Sequence, residues 1–222
     1  MKAMILAAGR GERMRSLTDH CPKPLLKISG KPLIEYHLES LKCAGIEEII
    51  INHAYLGEKI ENALGKGHQF GVNISYSAEG DNGLETGGGI TKALPLLGES
   101  PFIVINADIW TNYDFNQLTS ISSLAHLVLV ENPAHHPQGD FGLTNKLVTN
   151  QAAEQFTFSG IGVYHPELFK NCQPVKFKLA PLLRKTIEQQ KVTGELFQGD
   201  WSDIGTPERL LDIEQQLEKE NK

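Results

Sequence analysis

The chain has 222 residues, 40% hydrophobic and 22% charged, with a formal net charge of −6. This is ordinary globular composition, and no apolar run approaches a membrane span, so disordered, fibrous and membrane-spanning classes are excluded. Residues 1–31 carry seven bases and two acids, a local +5 against −11 over the remainder, which argues against a nucleic-acid binder with its broad basic face and suits a small polyanion.

On charge alone a solvated basic loop is the simpler reading of that segment. Cys21, Cys43 and Cys172 are odd in number and form no CxxC pair. They oppose a disulfide scaffold or zinc site and fit a reducing compartment. The apolar opening runs straight into Gly9-Arg10-Gly11-Glu12-Arg13, so it reads as a first buried strand rather than a signal peptide.

In chain order, residues 2–7 form that strand and residues 9–24, with two glycines and two prolines, a loop with a short helical turn. Pro32 opens a helix to about Cys43, with Leu33, His37 and Leu41 on one stripe. A strand follows at 47–52, a helix at 55–64 and a strand at 72–76. Residues 79–89 read as a Gly-rich loop and 90–97 as the helix after it. Residues 101–106 are an apolar strand, 114–121 a helix and 126–130 a strand. Alternating strands and helices with short loops predict βαβ units and a mainly parallel sheet with helices on both faces.

After about residue 139 the pattern changes. Strands near 141–149 and 156–164, a helix near 178–190 and a strand near 194–198 predict a small antiparallel excursion on the same sheet. Thr206 and Pro207 are the N-cap and first residue of a last helix with a fraying polar tail. The expected organisation is one domain, 1–222. Residues 1–130 form a nucleotide-binding half, 131–205 a sugar-binding half and 206–222 the terminal helix.

Leu6-Ala7-Ala8-Gly9-Arg10-Gly11-Glu12-Arg13-Met14-Arg15 and Cys21-Pro22-Lys23-Pro24-Leu25-Leu26 place glycines, arginines and a proline-flanked lysine after a strand. Such a loop lets backbone N–H groups wrap an anion, with Arg13 and Arg15 forking onto phosphate oxygens and Lys23 as a point charge. It is neither a P-loop, since no GxxxxGK[ST] is present, nor a dinucleotide fingerprint, since Met14 stands at the third glycine. The whole string resembles LAAGxGxRMxPxTxxxPKPLL, the signature of the sugar-1-phosphate nucleotidyltransferases. Glu12 replaces the frequent Thr and Ser16 the usual Pro. Further matches are Asn106-Ala107-Asp108, Trp201-Ser202-Asp203-Ile204-Gly205-Thr206, and Leu84-Glu85-Thr86-Gly87-Gly88-Gly89-Ile90. The form of this last segment, with 135–142 and 156–161, is similar to N-acetylmuramate 1-phosphate uridylyltransferases.

The resemblance implies a Rossmann-like (GT-A-like) α/β fold and Mg²⁺-assisted transfer of UMP from UTP to a sugar 1-phosphate. Arg13 and Lys23 would be catalytic. Ala8, Gly9, Gly11, Glu12, Arg13, Lys23, Glu79 and Gly83 would bind the nucleotide, and Asp108 and Asp203 the metal. Asn106, Asp140 and Glu154 would bind the sugar. The family's Glu-Lys-Pro reads Glu154-Gln155-Phe156 here, so the lysine for the sugar's phosphate is missing and Lys178 or another base must substitute. Scattered histidines read as surface or core residues, and His135-His136 has no visible partner. The chain leaves no room for the left-handed helical domain of larger relatives, so a stand-alone cytoplasmic catalytic domain, monomeric or a small homo-oligomer, is expected. The alternatives are a guanylyl- or uridylyltransferase for another hexose or heptose 1-phosphate, a non-catalytic nucleotide-sugar sensor, or a dehydrogenase. Met14 and the lack of a hydride-transfer partner disfavour the last.

Overall fold

A computed structural model describes residues 1–80, 83–118 and 123–220. In chain order the strands are β1 (Lys2–Leu6), β2 (Lys27–Ile28), β3 (Lys31–Pro32), β4 (Glu48–His53), β5 (Asn73–Ala78), β6 (Phe102–Asn106), β7 (Ile109–Thr111), β8 (Ala125–Val130), β9 (Gly142–Thr144), β10 (Leu147–Thr149), β11 (Thr157–Tyr164), β12 (Val192–Phe197) and β13 (Trp201–Asp203). The helices are α1 (Leu33–Cys43), α2 (Gly57–Leu64), α3 (Glu85–Leu97), α4 (Leu179–Glu188) and α5 (Pro207–Glu220). Short 3₁₀ turns at Glu12–Thr18 and Lys23–Leu25 shape the N-terminal loop.

Nine strands make one sheet in the order β5-β4-β1-β6-β11-β8-β12-β10-β9. β5, β4, β1 and β6 are parallel. β11 runs antiparallel between β6 and β8, β12 is parallel to β8, and the β9–β10 hairpin closes the far edge. The excursion expected from the sequence therefore extends the main sheet. Both faces are buried, which is why β1 reads as an unbroken apolar run. Ala3 and Ile5 pack on one face with Ile34, Leu38 and Leu41 of α1 and Ile60 of α2. Met4 packs on the other with Ile90, Ala93 and Leu97 of α3 and Leu183 and Ile187 of α4. A third cluster, Met14, Leu26, Ile28, Leu33, Trp110, Ile204 and Ile213, lies under α5.

The structure corrects one boundary with functional weight. α3 begins at Glu85, so Gly87, Gly88 and Gly89 are helical rather than loop. Three glycines cost about 1 kcal/mol each against alanine, and Pro95 inside the same helix about 3. Propensity therefore points away from helix here, and tertiary packing overrides it. The polar tail of α5, expected to fray, is helical through Glu220, and residues 221–222 lie outside the described ones. Of the helix read at 114–121, a 3₁₀ turn at Phe115–Leu118 is present, Asp114 lies before it outside any helix, and 119–121 lie outside the described residues. The hairpin β2–β3 and the pair β7–β13 have strands too short to read from periodicity.

Candidate active site

The parallel strands β1, β4, β5 and β6 send their carboxyl ends into one cleft of about 800 Å³. Such an edge is where ligands bind in open α/β sheets. A buried relay ties its wall together. Ala7 N–H donates to Asn52 Oδ1 (2.9 Å), Asn52 Nδ2 to Glu79 Oε1 (2.5 Å), and Leu84 N–H to Glu79 Oε2 (2.6 Å). The ends of β1, β4 and β5 and the entry to α3 are thus one hydrogen-bonded unit. Glu79 is buried, and both its oxygens are engaged by protein donors.

Gly11 has φ +70°, and a Cβ there would lie 3.1 Å from Thr18 Cγ2 and 3.3 Å from Lys23 Cβ. Its carbonyl accepts from Met14 N–H (2.8 Å) and Thr18 Oγ1–H (2.9 Å), which starts the 3₁₀ turn. Met14 is completely buried in the cluster beneath α5. The residue that breaks the dinucleotide fingerprint is therefore a hydrophobic peg holding the loop, while Glu12 and Arg13 beside it stay exposed. The Arg15 side chain lies outside those described. Lys23, set between Pro22 and Pro24, is buried, and its Nζ reaches Asp108 Oδ2 at 2.6 Å.

Asp108 occupies the turn between β6 and β7. The β7–β13 pairing sets Asp203 opposite Ile109, and Ile204 N–H donates to the Asp108 carbonyl (2.7 Å). The two carboxylates named from the sequence are thereby brought together, Asp203 on β13 and Asp108 in the turn leading into its partner strand β7, although 95 positions apart. Arg209 of α5 places Nη1 2.5 Å from both Asp203 oxygens, and His135 Nε2 is 2.9 Å from Oδ1. His135 and His136 do have partners: His136 Nε2 lies 3.3 Å from Asp140 Oδ1. Beneath this turn His37 is fully buried. Burial pushes its pKa down to about 4, opposed by a backbone hydrogen bond at Ile109 and the charge of Asp108.

Asn106 ends β6, and its side chain lies against Gly160 of β11. Gly160 has φ +85°, and a Cβ there would meet Asn106 Nδ2 at 2.6 Å. The ladder shifts register between Phe158 and Ile161, and Ser159 Oγ repairs the gap by bonding Val128 O (2.7 Å) and Ile161 N–H (3.1 Å). This is a bulge that makes room for a cleft residue.

The cleft brings together Ala8, Gly9, Gly11, Glu12, Arg13, Lys23, Glu79, Gly83, Asn106 and Asp108. Asp203 does not line it directly, although Gly205 does. Asp140 and Glu154 stand apart from it. Asp140 Oδ2 accepts from Phe158 N–H (2.9 Å), and Glu154 lines a separate concavity with Asn132, Gln138 and Gln155. Lys178 occupies the N-cap position of α4, and the base that reaches the cleft from this segment is Lys176. Asn52, Tyr55, Lys176 and Arg209 carried no motif that would have singled them out, and His135 lay in a matching segment without an assigned role. Asn52 shares with Asn106 the end of a parallel strand, which is the one available signal.

The family profile described as nucleotidyl transferase matches residues 2–220. The chain belongs to the nucleotidyl transferase family. Within this family it is 53% identical to N-acetylmuramate alpha-1-phosphate uridylyltransferase of Neisseria meningitidis serogroup B, over 96% of this chain and 97% of that one. It is 32% identical to the enzyme so named in Caulobacter vibrioides, over 97% and 96%. Among solved structures, HddC from Yersinia pseudotuberculosis in complex with GMP-PN superposes with a TM-score of 0.78 at 25% identity, over 97% of this chain and 99% of that one. These relatives agree with the Rossmann-like, mainly parallel architecture. No helix among the described residues of this nucleotidyl transferase is long and apolar enough to cross a membrane.

Proposed function

We propose that the protein transfers UMP from UTP to N-acetylmuramic acid 1-phosphate, giving UDP-N-acetylmuramic acid and pyrophosphate, in the cytoplasm as a step in recycling peptidoglycan sugar. The observation that carries the chemistry is the contact between Lys23 and Asp108 at the mouth of β6, facing the glycine loop. A base for phosphate oxygens and an acid for a cation sit side by side there. The extensive identity to enzymes named for this reaction supports the choice of substrates.

In the proposed reaction an oxygen of the sugar phosphate attacks the α-phosphorus of UTP in line, and the bond to pyrophosphate breaks. That oxygen is already anionic near neutral pH, so no general base is needed. Catalysis consists of positioning and charge stabilisation. Backbone groups of Ala8, Gly9, Gly11 and Glu12 would line the triphosphate, with Arg13 and Lys23 taking up its charge. Asn52, Glu79 and Gly83 form the wing for the base, and Asn106 faces the sugar. Asp140 and Glu154 would act on the sugar from outside the cleft wall. Its partners would be UTP and the sugar 1-phosphate, with the protein acting as a monomer or small homo-oligomer.

Magnesium fits the donor set. Two hard carboxylates, Asp108 in the β6–β7 turn and Asp203 on β13, completed by phosphate oxygens and water, would make the oxygen shell it prefers once Lys23 and Arg209 cede the oxygens they hold. Among the described residues no cluster of three or more His, Cys, Asp or Glu is present, so substrate oxygens would supply much of that shell. Asp108 and Asp203 would hold the ion, which when bound neutralises the reacting phosphates. Pyrophosphate release over a panel of nucleotides and sugar 1-phosphates tests the proposal. The highest kcat/KM belongs to UTP with N-acetylmuramate 1-phosphate, and preference for another pair would reject the assignment of substrates.

A further inference from the structure

The substrate proposed above carries two anionic groups, a 1-phosphate and the carboxylate of its lactyl ether. The lysine expected after Glu154 is Gln155, which donates to Asn150 O (3.3 Å) and lines the outer concavity rather than the cleft. Among the described residues four bases line the cleft: Arg10, Arg13, Lys23 and Lys176. Arg10 lies over the Tyr55 ring and Lys23 is held by Asp108. Arg13 belongs to the phosphate loop. Lys176 has no hydrogen-bond or ion-pair partner among the described residues.

The position of Lys176 is built into the fold. Phe177 O accepts from Gly87 N–H (3.1 Å) and Gly88 N–H (3.2 Å), and Phe177 N–H donates to Leu84 O (3.2 Å). This close seat exists only because the helix has no side chains there. A Cβ on Gly87 would lie 2.3 Å from Phe177 Cε2, and one on Gly88 2.1 Å from Val175 O. The seat also consumes first-turn N–H groups of α3, so an anion on this side of the cleft meets Lys176, and Glu85 beside it, rather than the helix end. The segment leads into α4, which packs on α3, β10 and β12. Lys176 therefore borders the cleft beside the entry to α3.

We infer that Lys176 is the cation that receives an anionic group of the acceptor sugar, and that Gly87 and Gly88 of α3 exist to seat it. This rests on the proposed transferase reading. The test is steady-state kinetics of Lys176→Met and Lys176→Arg with UTP and two acceptors, N-acetylmuramate 1-phosphate and N-acetylglucosamine 1-phosphate. Lys176→Met raises acceptor KM roughly tenfold or more with UTP KM and melting temperature unchanged, and Lys176→Arg recovers most of the loss. An equal rise for both acceptors assigns the phosphate. A rise confined to N-acetylmuramate 1-phosphate assigns the carboxylate. An unchanged acceptor KM, or a rise in UTP KM instead, overturns the inference. If the wild-type protein uses only a different sugar phosphate, the substrate reading fails, and the same variants measured with that acceptor still decide the role of Lys176.

Discussion

Replacing Gly88 with alanine sets two effects of known sign against each other. In a helix interior the change favours folding by about 1 kcal/mol. Here the added Cβ would lie 2.1 Å from Val175 O and 3.0 Å from Leu84 Cβ, and the first of these is backbone that cannot rotate away. Forced overpacking of this kind costs about 1–3 kcal/mol. Pushing the segment outward also strains three hydrogen bonds that join it to α3, each worth about 1 kcal/mol when water does not replace it. The cost therefore exceeds the propensity gain, and Gly88→Ala destabilises by about 2 kcal/mol. For a chain of this size that lowers the melting temperature by roughly 4–8 °C. Urea unfolding with an unchanged m-value measures the loss, and acceptor KM reports the displaced Lys176. A variant as stable as the parent, or more stable, would refute the claim that these glycines serve close packing.

Asp108→Asn should lower turnover by about 10²–10³ while the melting temperature stays within a few degrees, since a transition-state group is lost and no core packing changes; near-normal turnover would remove Asp108 from the chemistry. Glu79→Ala should cost about 2–3 kcal/mol of stability, because it leaves Leu84 N–H and Asn52 Nδ2 without their acceptor; a calorimetric scan checks this, and an unchanged midpoint would show the relay to be dispensable. His37 has its folded pKa depressed to about 4 from 6.5. The unfolded chain therefore binds the proton more readily, and stability falls as pH drops through that window, by about 3 kcal/mol in all. His37→Gln should flatten that part of the stability profile, and an unchanged slope would place the acid sensitivity elsewhere.

Much of the site was legible in the sequence because its parts are local. The glycine loop, the proline-flanked lysine and the acid after an apolar strand each announce a backbone position and a charge. The strands of the parallel half were legible for the same reason, being buried on both faces and continuously apolar. What escaped depends on distant pairing. Arg209 and His135 meet Asp203 only because α5 and the loop after β8 converge there. Gly87–Gly89 read as loop because propensity knows nothing of what packs there: Phe177 and Val175 against Gly87 and Gly88, and Glu79 and Asn52 against Gly89, all of which require bare backbone. Met14 looked like a failed glycine until the cluster under α5 showed what it fills. Asp140 shows the converse: a motif match names the residue but not its geometry, here a carboxylate that accepts from Phe158 N–H without lining the main cleft.

The most direct test of nucleotidyl transfer at the Lys23–Asp108 cleft is product analysis of the purified protein incubated with UTP, N-acetylmuramate 1-phosphate and magnesium. The account predicts equimolar UDP-N-acetylmuramic acid and pyrophosphate, with Lys23→Ala forming both at a small fraction of the parent rate. Full product formation by Lys23→Ala would contradict it.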